Sequence, residues 1–92
     1  MQLQMSLLPS DNTPLNRHSL VALELWLNHL GAEKSSLNPC LWTWSLPAWT
    51  VEIQMEQDEL RVTWEKNGER NQRCFSYGLS RLDVEAAINE GP

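Results

Sequence analysis

The sequence predicts an α+β fold: an N-terminal helix, a four-stranded antiparallel sheet and a C-terminal helix, with both helices packed on one sheet face. Three observations carry this expectation. An apolar period near 3.6 runs from His18 to Leu30, the period changes to two between Leu41 and Tyr77, and a second amphipathic stretch follows Gly78. The 92 residues are enough for one domain with one core, since a chain of this size buries about 64% of its extended surface on folding. We assign residues 15–92 to that domain and residues 1–14 to a flexible N-terminal arm.

The arm has no periodic pattern, and Pro9, Ser10, Asp11, Asn12, Thr13 and Pro14 cluster as turn formers. Leu7 and Leu8 either dock on the domain edge or form a short docking peptide. The first helix takes Ser19 or Asn16 as its cap and stops at Gly31, which suits the left-handed position after a last turn. Leu20, Leu23, Trp26, Leu27 and Leu30 share a stripe about 120° wide, the expected core face. Val21 and Leu25 form an i, i+4 pair on roughly the opposite side, which calls for a covering segment or a partner.

Ala32 to Pro39 reads as a loop. Leu41 to Leu46 then places Trp42, Trp44 and Leu46 on one face until Pro47 breaks the ladder. Trp49, Val51, Ile53 and Met55 alternate with Thr50, Glu52, Gln54 and Glu56, and Leu60, Val62 and Trp64 repeat the pattern. Gln57, Asp58 and Glu59 make a short turn. Asn67-Gly68 is the strongest hairpin signal, because a type I′ turn needs positive φ at both central residues. The fourth strand, Arg70 to Tyr77, puts Phe75 and Tyr77 on one face and Cys74 on the other. Ser80 with Asp83 resembles a capping box for the final helix, whose Val84, Ala87 and Ile88 point inward.

Seven basic residues against twelve acidic ones give a net charge of −5, which argues against a general binder of phosphate backbones. The first residues lack both a basic leader and an apolar run long enough to span a bilayer, so the expected location is cytoplasmic, free or peripheral to another structure. The two cysteines, Cys40 and Cys74, are too few for a disulfide scaffold and lack zinc-site spacing; a single Cys40–Cys74 bridge remains open. His18 and His29 fall on the same side of the expected helix about 16 Å apart, so they cannot converge on one metal or one substrate atom. The carboxylate pairs Glu52 with Glu56, Asp58 with Glu59 and Asp83 with Glu85 lie on polar faces or turns. No catalytic, cofactor-binding or metal-ligating residue is assigned, and no cofactor is expected.

The five tryptophans are the remaining signal. Strand and helix phase assign Trp26, Trp49 and Trp64 to the core. Trp42 and Trp44 are core if their face meets the helices; otherwise they form an exposed aromatic patch of the kind enriched at binding hot spots. The candidate partner-binding residues are therefore Trp42, Trp44, Val21 and Leu25. Indole pairs also stack nucleic-acid bases, but the stretch from Leu37 to Glu56 has no basic residue to support such a platform.

Thr13-Pro14-Leu15, His18, Ala22-Leu23-Glu24, Trp26-Leu27, Leu30-Gly31-Ala32 and Asn38-Pro39-Cys40-Leu41-Trp42 resemble the opening of a small domain family of cyanobacteria and chloroplasts with no assigned function. Tyr77, Leu79-Ser80-Arg81, Asp83-Val84-Glu85, Ala87-Ile88 and Gly91-Pro92 resemble its ending. The chain departs from the family pattern at Asn16, where an aromatic is usual nearby, and near Ser19, where a proline is usual. The resemblance implies a soluble protein of an oxygenic phototroph, free in the cytosol or associated with thylakoid membranes, with an accessory or assembly role and no known cofactor. The expected function is thus a non-enzymatic protein-interaction or assembly module with a protein partner. The alternatives are a small ligand-binding domain or enzyme without a recognisable motif, and a weak single-stranded nucleic-acid binder.

Overall fold

Ser19 starts the first helix: its Oγ accepts the Ala22 amide at 3.0 Å, leaving α1 as Leu20–Leu30. Gly31 ends it at φ 99°, with its N–H donating to Asn28 O at 3.0 Å. In the computed structural model, which describes residues 8–92, a single 3-10 turn, Leu15–Arg17, precedes this helix. The chain continues through β1 (Glu33–Lys34), β2 (Leu41–Ser45), β3 (Thr50–Met55), β4 (Glu59–Lys66) and β5 (Glu69–Ser76) to α2 (Arg81–Glu90). All neighbouring strands are antiparallel and follow chain order, so the sheet is a five-stranded meander.

The expected sheet had four strands. The additional one, β1, pairs Glu33 with Thr43 and Lys34 with Trp42 inside the segment read as a loop. Two residues cannot display a period of two; this strand exists because β2 offers it an edge. The Asn67-Gly68 hairpin has φ of 53° and 83° at its two central residues, as a type I′ turn requires.

One side of the sheet carries Trp42, Trp44, Val51, Ile53, Leu60, Val62, Trp64 and Phe75. These join Trp26 and Leu27 of α1 and Val84 and Ile88 of α2 in a single buried cluster. Each buried indole removes about 150–250 Å² from water, worth roughly 4–6 kcal/mol before entropy is counted. Two of the indoles also fix α2: Trp64 Nε1 donates to Ile88 O at 3.0 Å, and Trp26 Nε1 donates to a Glu85 carboxylate oxygen at 2.9 Å.

The helix stripe needs one correction. Leu20, expected in the core, is 62% exposed, while Ala22 is 1% exposed. Leu20 occupies the first helical position and stands in solvent, and Ala22 takes the buried place on that turn instead.

Of the arm expected over residues 1–14, residues 1–7, Leu7 included, lie outside the described residues. The part that follows is fastened to α2. The carbonyls of Thr13 and Asp11 accept the Arg81 and Leu82 amides at 3.1 and 2.8 Å, and Ser80 Oγ accepts the Asp83 amide at 3.1 Å. These bonds satisfy first-turn N–H groups that a helix cannot satisfy itself. Arg81 Nη2 donates to Pro9 O at 2.8 Å, the Leu15 and Asn16 amides donate to Leu79 O and Tyr77 O, and Leu8 packs on the core. Among the described residues no helix is long and apolar enough to cross a membrane.

Candidate interaction surfaces

The four candidate partner-binding residues do not form one surface. Trp42 and Trp44 are 1% and 7% exposed. They stand opposite Ile53 and Val51 across the β2–β3 ladder, on the side of the sheet that holds the core cluster. The exposed aromatic patch is therefore corrected: β1 occupies the edge on which β2 was expected to lie, and separately residues of both helices cover the indole face, which is interior. Gly31 closes over it, since a Cβ there would sit 3.6 Å from Trp44 Nε1. Lys34 Nζ lies 5.9 Å from the centroid of the Trp42 ring. Among the described residues Trp42 Nε1, which is buried, has no hydrogen-bond partner.

Val21 and Leu25 remain on α1. Val21 is 55% exposed, beside the still more exposed Leu20, and Leu25 is half-buried one turn further on. The outward side of α1 thus begins with two adjacent large aliphatic side chains in water.

A second feature is a cleft of about 200 Å³ lined by Trp49, Trp64, Lys66, Glu69, Asn71 and Pro92. Trp49, assigned to the core from its strand phase, is half-buried and forms one wall. Its position depends on Gly91, whose missing Cβ would overlap the indole. The cleft brings together an aromatic wall, one cation and one carboxylate. Sequence phase could not find it, because Pro92 and Trp49 are distant in the chain and meet only at the end of α2.

His18 lies before α1, not in it; its ring is buried, with Nδ1 2.9 Å from Pro14 O, whereas His29 is exposed. Cys40 and Cys74 are free and exposed. Cys40 precedes β2 and Cys74 lies on β5, about 14 Å away by strand spacing, beyond the reach of a disulfide. The neighbouring Glu59 carboxylate is the main cause that raises the Cys74 thiol above its ordinary value, making it a weaker nucleophile at neutral pH. Burial, followed by the Glu56 charge, raises the Tyr77 phenol, whose OH donates to Glu56 O. Among the described residues no group of three or more His, Cys, Asp or Glu could hold a metal ion.

The opposite face of the sheet is polar. Arg70 reaches across it to Glu52 on β3 at 3.1 Å and to Glu65 on β4 at 3.4 Å, and Arg61 pairs with Glu56 at 2.8 Å. Such exposed pairs contribute little stability, about 0–1 kcal/mol each.

The stretch from residue 30 to residue 91 matches the model of a family described as a protein of unknown function (DUF3143). The matched stretch covers the whole sheet and α2, so the chain belongs to this family. No curated protein and no solved structure matches the chain. The cleft lies almost wholly within the matched stretch, whereas the exposed start of α1 precedes it.

Proposed function

We propose that this domain is a non-enzymatic protein-interaction or assembly module that docks a protein partner through the outward side of α1. One observation carries the reading: Leu20 and Val21 are 62% and 55% exposed at the first turn of a helix that already buries Ala22, Trp26 and Leu27. Leu25 extends the same apolar surface. Single exposed leucines are ordinary, but adjacent ones that the core does not use are the start of a contact surface. The resemblance to a cyanobacterial and chloroplast family supports an accessory role in a phototroph, in the cytoplasm or peripheral to thylakoid-associated complexes. Incorporating a photo-crosslinking residue at Val21, with Thr43 on the polar sheet face as control, tests this. A discrete adduct from position 21 alone supports the reading. Identical adducts from both positions, or none from position 21, contradict it.

The cleft favours a second reading, a small ligand-binding domain. At about 200 Å³ it is smaller than typical small-molecule sites of about 300–1,000 Å³, so it suits a single side chain or a fragment. Fragment binding that perturbs Trp49 fluorescence, and is lost in Trp49→Leu, supports that reading. The nucleic-acid alternative has the least support, because the indole pair that would stack bases is interior and the net charge is −5.

A further inference from the structure

We infer that the free edge of β5 pairs with β5 of a second copy of this chain, in an antiparallel register centred on Asn71. Among the described residues β4 is the sole neighbour of β5, and every residue of the strand except Phe75 is exposed. The opposite edge of the sheet is the two-residue β1, too short to template another strand.

Natural edges are blunted by proline, by bulges or by charged side chains projecting past the edge. The β5 edge has neither proline nor bulge, and its exposed charges are of mixed sign. The sequence Glu69–Ser76 contains no proline, and its register with β4 runs unbroken from Glu59↔Ser76 to Lys66↔Glu69. Of its two arginines, Arg70 is turned back over the sheet and held by Glu52 and Glu65, while Arg73 lies along the strand itself, its guanidinium 4.9 Å from the centroid of the Phe75 ring.

Geometry and charge then select the register. The two-residue Asn67-Gly68 turn makes Lys66 and Glu69 a hydrogen-bonded pair, so Glu69, Asn71 and Arg73 direct their backbone groups to β4 while Arg70, Gln72 and Cys74 direct theirs outward. A two-fold pairing that keeps each face in register can centre on Arg70, Asn71, Gln72, Arg73 or Cys74. Centring on Arg70 or Arg73 opposes like charges, and centring on Gln72 or Cys74 makes no opposite-charge pair. Centring on Asn71 sets Glu69 against Arg73 of the second copy, twice by symmetry. Those pairs fall at non-hydrogen-bonded positions, where cross-strand side chains are closest. Arg70 then meets Gln72 of the second copy, and both present outward backbone groups to each other.

The contact is small compared with a standard interface of about 1,600 Å², so the dimer is reversible and salt-sensitive. Sedimentation of the full chain over a concentration series is expected to show a monomer–dimer equilibrium. Glu69→Arg and Arg73→Glu should each weaken it about tenfold or more by opposing like charges. An equimolar mixture of the two variants should restore it, because Arg at 69 then faces Glu at 73 and Glu at 69 faces Arg at 73. Misfolding cannot produce that rescue. Gln72→Pro, which removes an outward N–H where an edge strand tolerates the loss, should weaken the dimer without changing charge. A chain that stays monomeric to about 1 mM, a dimer indifferent to both charge reversals, or a mixture that fails to recover would overturn the pairing.

Discussion

A Cβ placed on Gly91 would lie 2.2 Å from Cη2 of Trp49. The indole packs against the end of α2 because this residue has no side chain, and its φ of 95° independently favours glycine. Gly91→Ala should therefore cost about 2–4 kcal/mol, read as a lowered urea midpoint, and should enlarge or collapse the cleft. A loss below about 0.5 kcal/mol, the range of neutral surface changes, would show that Trp49 swings aside freely.

Trp64 and Trp42 are both 1% exposed, but their indole N–H groups differ. Trp64 Nε1 is bonded to Ile88 O, while Trp42 Nε1 has no partner among the described residues. Replacing either by Phe leaves a cavity, and Trp64→Phe also orphans a buried carbonyl, whereas Trp42→Phe removes an unpaired donor. Trp64→Phe should cost about 2–4 kcal/mol and Trp42→Phe about 1–2 kcal/mol less. Equal losses in chemical denaturation would contradict the assigned hydrogen bond.

Tyr77 sets an alkaline limit. Burial first, and the Glu56 charge second, raise its phenol above the ordinary 10.0, so the folded state holds this proton more tightly than the unfolded chain. Its contribution is fully present below pH 10 and fades as the pH rises through the raised folded value. Tyr77→Phe should lose about 1 kcal/mol at neutral pH with its bond to Glu56 O, and stability should fall less steeply above pH 10 than in the parent. Parallel pH curves would refute the linkage.

The Cys74 thiol tests the electrostatics of the polar sheet face. Glu59 is the leading cause of its raised pKa, so Glu59→Gln should increase the native alkylation rate of Cys74 several-fold near pH 8 as the thiolate fraction rises. Unchanged kinetics would place the cause elsewhere.

Much of the fold is legible in the residues. Period-two alternation in Trp49–Met55 and Leu60–Trp64, the Asn67-Gly68 turn, the Ser19 and Ser80 caps and Gly31 each specify local geometry that needs no distant partner. What escapes is what depends on a neighbour. Glu33–Lys34 becomes a strand because β2 is there, and Trp42 and Trp44 are interior because residues of both helices pack on their face; no periodicity within Leu41–Leu46 distinguishes a covered face from an open one. The exposed Leu20 escapes for a similar reason, since helical phase gives direction but not how far the packed surface extends. The arm's carbonyls at Asp11 and Thr13, which cap α2 from about seventy residues away in sequence, leave no local signature. Of the candidate contact residues, Val21 and Leu25 could be located by phase alone because their outward direction follows from the helix.

The most direct test of an interaction surface on α1 is the double variant Leu20→Ser, Val21→Ser, measured for thermal stability and for partner retention in a native pull-down. Both side chains are exposed, so unfolding should shift by no more than about 1 kcal/mol while retention of the partner bound by the parent chain falls at least tenfold. Retention unchanged in a folded variant would contradict docking through this face, and a large loss of stability would show instead that these residues belong to the core.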